Sequence, residues 1–198
     1  MSSAGAASDV TLVLMAGGRG SRLGGIAKGL LRREGRPLLA WQLEALAPLC
    51  GDVLLVTQEP TAYASFNLPS VRDAWPDKGP LGGLVTALGH VRTAFVLCVA
   101  CDLPFVTAAV VEPLLAARAE MDAALYEVEG KLEPMLAVYG AHLRAELAAQ
   151  LASPPSFRAL LAGKRVCRLP GSAEVTRALA NVNSTAELSL YGLELPDC

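Results

Sequence analysis

The residues best equipped for chemistry cluster near the N-terminus. The stretch Met15-Ala-Gly-Gly-Arg-Gly-Ser-Arg-Leu-Gly-Gly-Ile-Ala-Lys28 interleaves Gly17, Gly18, Gly20 and Gly24 with Arg19 and Arg22, and it closes on Lys28. Glycine accepts positive φ and close backbone approach, so successive N–H groups can converge on an anion. Arginine and lysine add the charge that a phosphate chain attracts. Two familiar phosphate loops do not fit. Leu23 stands where a dinucleotide fingerprint needs its third glycine, and Lys28 is followed by Gly29 rather than Ser or Thr. A plain flexible loop is the competing reading. The two arginines and the lysine, directly after an apolar run, weigh against it.

A second set of polar residues lies further along. Asp102 follows the apolar run Phe95–Ala100 within Cys101-Asp-Leu-Pro104. A carboxylate so placed suits Mg²⁺, which takes one or two protein oxygens together with substrate phosphates. A helix cap is the alternative. Gly79-Pro-Leu-Gly-Gly83 opens a helical stretch whose first amides can receive an anion. Asp73 and Asn181-Val-Asn183 complete the set. Cys98 and Cys101 form a C-x-x-C that reads as buried apolar cysteine, since residues three apart on a strand face opposite sides. No second pair completes a zinc site in the sequence. His90 and His142 stand apart from other ligand types.

The elements that must position these residues alternate in type. Apolar runs at Val10–Leu14, Val53–Thr57, around Val71 and at Phe95–Ala100 read as strands. Helical spacing follows over Leu38–Ala47, opened by Pro37, and over Pro80–Val91. A short irregular helix is expected at Tyr63–Asn67, and Thr107 is the expected cap of a helix over Ala108–Ala119. Asp122–Val128 and Leu132–Tyr139, split by Glu129-Gly-Lys131, are expected to pair antiparallel. Helices at Ala141–Ala152 and Phe157–Ala162, a strand at Val166–Leu169 and a final helix at Ser184–Leu190 complete the chain. This predicts an α/β fold: a single doubly wound, mostly parallel sheet with helices on both faces. Residues 1–9 are expected to be a flexible N-terminus and residues 10–198 one domain. Ligands of such sheets bind beyond the carboxyl ends of the strands, where all these motifs should meet.

Composition sets bounds. The 198 residues are 53% hydrophobic and 18% charged, with a net charge of −2, which indicates a compact core and argues against a nucleic-acid partner. No apolar run is long enough for a membrane span. The five cysteines are odd in number and scattered, so a reducing, cytoplasmic setting is expected.

Taken together, the motifs resemble those of the molybdenum cofactor guanylyltransferases, the MobA group of nucleotidyltransferases. The resemblance rests on the loop from Met15 to Lys28, on Gly79-Pro-Leu-Gly-Gly83, on Cys101-Asp-Leu-Pro104 and on Asn181-Val-Asn183, with Glu133-Pro-Met135 in support. It implies a Rossmann-like nucleotidyltransferase fold and transfer of GMP from GTP to the phosphate of molybdopterin or its molybdenum form. Met15, Ala16, Gly17 and Gly18 would hold the nucleotide, with Gly82 beside them. Arg22 and Lys28 would neutralise its phosphates. Asp102 would bind Mg²⁺, with Asn183 as second ligand. Asp73 would accept from the guanine or ribose, and Thr57 stands where some members carry an Asn for the base. Glu133 and Asn181 would face the pterin. Proteins that deliver the pterin or accept the product are further implied partners. Ala27 and Leu23 depart from the family's usual Asp and Met. A cytidylyl- or sugar-phosphate nucleotidyltransferase would use the same loop, and a non-catalytic nucleotide-binding regulator would keep it without Lys28 or Asp102.

Overall fold

The computed structural model describes residues 6–17, 25–153 and 156–196. Its strands are β1 (Ala7–Ala16), β2 (Arg32–Arg33), β3 (Arg36–Pro37), β4 (Cys50–Thr57), β5 (Ser70–Arg72), β6 (Phe95–Ala100), β7 (Ala123–Val128), β8 (Lys131–Gly140), β9 (Val166–Pro170) and β10 (Leu193–Glu194). Its helices are α1 (Leu38–Leu46), α2 (Gly79–Leu88), α3 (Ala108–Ala116), α4 (Arg144–Ala149), α5 (Phe157–Leu160), α6 (Ala173–Ala178) and α7 (Thr185–Leu190). Seven strands form one sheet in the order β5-β4-β1-β6-β8-β7-β9. Every neighbouring pair is parallel except those made by β8, which runs against both β6 and β7.

The strands nearest the centre are buried on both faces, which is why they read as continuous apolar runs. Alternate residues serve opposite sides. Leu12, Leu14, Leu97 and Val99 meet Leu39 and Leu46 of α1 and Val111 and Leu114 of α3. Val13, Met15, Val96 and Cys98 meet Leu84 and Leu88 of α2 and Leu147 of α4. The sheet is therefore covered on both faces. A third, smaller core of Leu31, Leu38, Val182, Leu188 and Leu193 joins the chain after Lys28 to the C-terminal segment. Leu193 of this core belongs to a second sheet, β10-β2-β3.

Several boundaries differ from the sequence expectation. Of the segment expected to be flexible, residues 1–5 lie outside the described residues, whereas β1 already begins at Ala7. Ala7 pairs with Cys50, and the Asp9 carboxylate takes two hydrogen bonds from Arg118 at 3.1 and 2.8 Å. The helix after Thr107 ends at Ala116, and the Thr107 hydroxyl makes no capping bond. The hairpin β2–β3 has no counterpart in the sequence expectation. It turns on Glu34 (φ 53°) and Gly35 (φ 73°), as the β7–β8 hairpin turns on Glu129 (φ 49°) and Gly130 (φ 75°). Positive φ at both central residues matches the right-handed strand twist. Helix α6 was also unforeseen. The Ser172 hydroxyl caps it, accepting from the Val175 N–H at 3.2 Å. Among the described residues no helix is long and apolar enough to cross a membrane.

Candidate active site

The carboxyl ends of β1, β5 and β6 open onto one rim of the sheet. A cleft of about 360 Å³ lies there, lined by Met15, Gly17, Asp73, Asp102, Glu133 and Asn181 among others. Glu133 reaches this rim because β8 is reversed. The register pairs Val99 with Leu136, so Glu133 and Pro134 run out past the end of β6 at Ala100. The Tyr139 hydroxyl donates to the Pro134 carbonyl at 2.9 Å and holds that end of the strand. Burial pushes the Glu133 carboxyl above its ordinary range, with Lys131 opposing. Apolar lining comes from Pro80 and Met135, which lie within the sequence motifs, and from Pro76 and Leu179, to which no sequence pattern pointed. A bound planar ring would need such lining, but single apolar residues carry no sequence signature.

At one edge of the cleft three polar groups converge. The Lys28 ammonium donates to Asp102 Oδ2 at 2.8 Å and to Asn183 Oδ1 at 2.6 Å. The Lys28 and Asp102 side chains retain only 15% and 18% exposure, so their attraction is less screened than that of a surface pair. Each partner is placed by backbone contacts. Leu30 and Leu31 close a 3₁₀ turn over Lys28. Gly29 packs against Tyr63 and Cys101, where a Cβ would lie 3.0 Å from the Tyr63 ring. The Cys101 N–H bonds the Met15 carbonyl at 3.0 Å, tying the Asp102 turn to the end of β1. The Val182 N–H bonds the Asp102 carbonyl at 3.2 Å, while the Val182 side chain is fully buried.

Asn183 is held from the other side by the start of α7. Ser184 Oγ accepts from the Glu187 N–H, and Glu187 Oε2 accepts from the Asn183 N–H at 2.7 Å and from the Ser184 hydroxyl at 3.0 Å. This is a capping-box arrangement shifted by one residue. The Asn183 N–H, then the Ser184 hydroxyl, hold the Glu187 carboxyl below its ordinary range.

Asp73 is buried at the rim. Its Oδ1 accepts from the Trp75 N–H at 2.9 Å and from the Thr86 hydroxyl at 3.0 Å. Helix α2 approaches closely because of its glycines. Gly79 holds φ +58°, and a Cβ on Gly82 would lie 2.1 Å from the Trp75 carbonyl oxygen. Gly82 is thus packed beneath Trp75, and Gly79 and Pro80 line the cleft in its stead. Thr57 is not brought to the cleft either. It is 1% exposed, and its hydroxyl bonds the Ala16 carbonyl at 3.3 Å and the Glu59 N–H at 3.2 Å. Ala16 is half-buried at the end of β1. Gly18 and Arg22 lie outside the described residues. Cys98 and Cys101 fall on different sides, the first against α2 and the second against Gly29, and burial pushes both thiols up to about 12.

The donor set can be tested against a metal. Asp102 and Asn183 present two oxygens that already converge on one cationic atom. Oxygen donors without thiolate or imidazole suit a hard cation such as Mg²⁺. Among the described residues no group of three or more His, Cys, Asp and Glu gathers to hold a metal, so this pair of oxygens would be completed by substrate. A larger groove, of about 540 Å³, lies behind the Asp102 turn between α1 and Phe105. Pro104 and Thr107 line it, but none of the candidate nucleotide-, metal- or pterin-binding residues does, whereas several of these line the smaller cleft.

Comparison with known proteins bears on the family and the fold. Residues 12–169 match the model of the MobA-like NTP transferase domain. A molybdenum cofactor guanylyltransferase from Cupriavidus metallidurans is 32% identical over 196 residues, covering 94% of this chain and 96% of that protein. One from Pseudomonas putida is 35% identical over 182 residues, covering 90% and 95%. Against one from Ralstonia nicotianae the identity is 42%, but the match spans 59% of this chain and 58% of that protein. The crystal structure of molybdopterin-guanine dinucleotide biosynthesis protein A from Archaeoglobus fulgidus shares the fold, with a TM-score of 0.74 at 23% identity, covering 91% of this chain and 96% of that one.

Proposed function

From its membership of the MobA-like NTP transferase family, to which this chain belongs, we propose that the protein transfers GMP from GTP to the phosphate of molybdopterin or its molybdenum form. The products are the guanine dinucleotide cofactor and pyrophosphate. The observation that carries this reading is the convergence of Lys28, Asp102 and Asn183 at the edge of the cleft. The full-length relatives from Cupriavidus metallidurans and Pseudomonas putida bear the name of this activity.

The chemistry asks little of a general base. The attacking group is a phosphate oxygen that is already anionic near neutral pH. What the protein must do is place two anions in line and offset their repulsion. Lys28 brings a fixed positive charge to the rim where the phosphates bind, and Arg22 is proposed to add a second. Asp102 and Asn183 are the residues that would hold Mg²⁺. When bound, the ion supplies positive charge against the phosphate oxygens. Backbone at Met15, Ala16 and Gly17 borders the nucleotide, and Asp73 is an acceptor for guanine or ribose. Glu133 and Asn181 lie on the side left for the pterin. A carboxyl whose affinity for its proton is raised by burial accepts well from ring N–H groups.

The test is pyrophosphate release by the purified full chain with Mg²⁺, using GTP, CTP and UTP, each with molybdopterin or a sugar phosphate. Release that requires both GTP and molybdopterin is expected. Release with CTP in preference, or with the sugar phosphate, would replace the guanylyl assignment.

A further inference from the structure

We propose that Gln42 of α1 is a positioning residue for Asp102. This rests on the reading of Asp102 as the metal-binding carboxylate. Gln42 is 2% exposed. Its amide nitrogen donates to the Ala100 carbonyl at 2.9 Å and to the Leu103 carbonyl at 3.1 Å. Those carbonyls are the two ends of the turn that carries Cys101 and Asp102. The turn's own closure, from the Leu103 N–H to the Ala100 carbonyl, is 3.4 Å long. That is longer than an ordinary N–H···O bond. The side chain of Gln42 is therefore the stronger link between the two ends, and it spans them from outside the turn.

The rest of the amide shows that Gln42 is not simply a satisfied core residue. Its Oε1 is buried and has no hydrogen-bond partner among the described residues. A buried acceptor without a partner is destabilising, whereas an apolar side chain of similar size would avoid that cost. The two donated bonds are what the glutamine contributes, and both act on the Asp102 turn. The neighbouring residues work in the same direction. The Trp41 indole N–H bonds the Arg33 carbonyl at 3.0 Å, and the Arg33 guanidinium donates to the Pro104 carbonyl. Helix α1 and β2 thus grip three carbonyls around Asp102, on the side of the turn away from the cleft. Metal and phosphate chemistry tolerates little misplacement, so a turn this lightly closed needs an external clamp.

Two substitutions separate positioning from mere packing. Gln42→Leu keeps similar bulk and removes both donors. Gln42→Glu keeps the shape, with one O–H donor when protonated and none when ionised, when it would face two carbonyls. The charged side chains sharing the adjoining groove with it are Arg33, Glu44, Glu174 and Arg177. Wild type, both variants and Asp102→Asn are compared as full chains by cooperative melting and by pyrophosphate release. A third readout is the extra rise in Tm that Mn²⁺ adds to that given by a non-hydrolysable GTP analogue alone. Gln42→Leu is expected to melt cooperatively, to lose on the order of 10- to 100-fold in kcat, and to lose most of the Mn²⁺-dependent rise. The activity of Gln42→Glu relative to wild type is expected to fall as pH rises through the titration of the new carboxyl. Wild-type turnover and an undiminished Mn²⁺ effect in folded Gln42→Leu, with both lost in Asp102→Asn, would overturn the role of Gln42 alone. Should Gln42→Leu fail to fold, a ratio for Gln42→Glu that is independent of pH would overturn it equally. An undiminished Mn²⁺ effect in Asp102→Asn would overturn the metal reading, and this proposal with it.

Discussion

Lys28 and Asp102 are 74 positions apart, and Lys28 and Asn183 are 155 apart, yet one ammonium bonds both partners. On the proposed reading, Lys28→Ala removes a charge that counters the phosphates. Turnover is expected to drop at least 100-fold, about 2.7–4 kcal/mol by analogy with lost oxyanion donors. Lys28→Arg is expected to recover little of it, because a planar guanidinium cannot place a single nitrogen between two oxygens as an ammonium does. Steady-state pyrophosphate release measures both. Thr57 illustrates the opposite case. Its buried hydroxyl links the ends of β1 and β4, so Thr57→Val is expected to lower unfolding free energy by about 1–3 kcal/mol. Denaturant melts would show this, with the preference for GTP over CTP unchanged. A changed preference would return Thr57 to the base site.

At the scale of elements, the N-terminus of α2 depends on how closely it approaches its neighbours. A Cβ on Gly82 would meet the Trp75 carbonyl oxygen at 2.1 Å, and a Cβ on Gly83 would meet the end of the Met15 side chain at the same distance. Backbone cannot move aside cheaply, whereas a methionine terminus can. Gly82→Ala is therefore expected to destabilise by about 1–3 kcal/mol or more. Gly83→Ala should be the milder of the two in chemical denaturation. Helix α7 adds a pH-dependent contribution. Bonds from Asn183 and Ser184 lower the Glu187 pKa from 4.5. A depressed carboxyl stabilises the folded state above its unfolded value, and that contribution fades as pH falls through the folded value. Local melting of α7, followed by amide exchange, is expected to rise below about pH 4.5. Glu187→Gln, which removes the carboxyl, is expected to abolish this pH dependence, and Ser184→Ala to reduce it only in part, since the Asn183 N–H remains.

For the molecule as a whole, stability and chemistry rest on different groups. Two apolar cores sandwich the sheet, while the polar cluster sits at the rim with Lys28 already paired to its carboxylate. Chelation of divalent metal is therefore expected to abolish pyrophosphate release and leave the thermal melt of the nucleotide-free protein unchanged. A large fall in Tm on adding EDTA would show instead that the ion supports the fold. Addition of GTP with Mg²⁺ is expected to raise Tm in a concentration-dependent way, since a ligand that binds only the folded state stabilises it by mass action.

Much of this protein is legible along the chain. Apolar runs such as Val10–Leu14 and Phe95–Ala100 announce strands buried on both faces, because burial on both faces removes the alternation of polar residues. The glycine-rich basic loop and the carboxylate after β6 are the residues on which the proposed phosphate and metal site rests, because those residue types just beyond strand ends suit that chemistry. Local turn chemistry is legible too at Glu129-Gly130, whereas the like pair Glu34-Gly35 joins strands of only two residues each, too short to show a strand pattern. Tertiary structure alone decided that one lysine bridges Asp102 and Asn183, that Thr57 and Gly82 turn away from the cleft, and that Gln42 clamps the turn from behind. Those are matters of distance between segments far apart in sequence. A side chain's type constrains which bonds it can make, whereas only the packed chain determines which partner comes within reach.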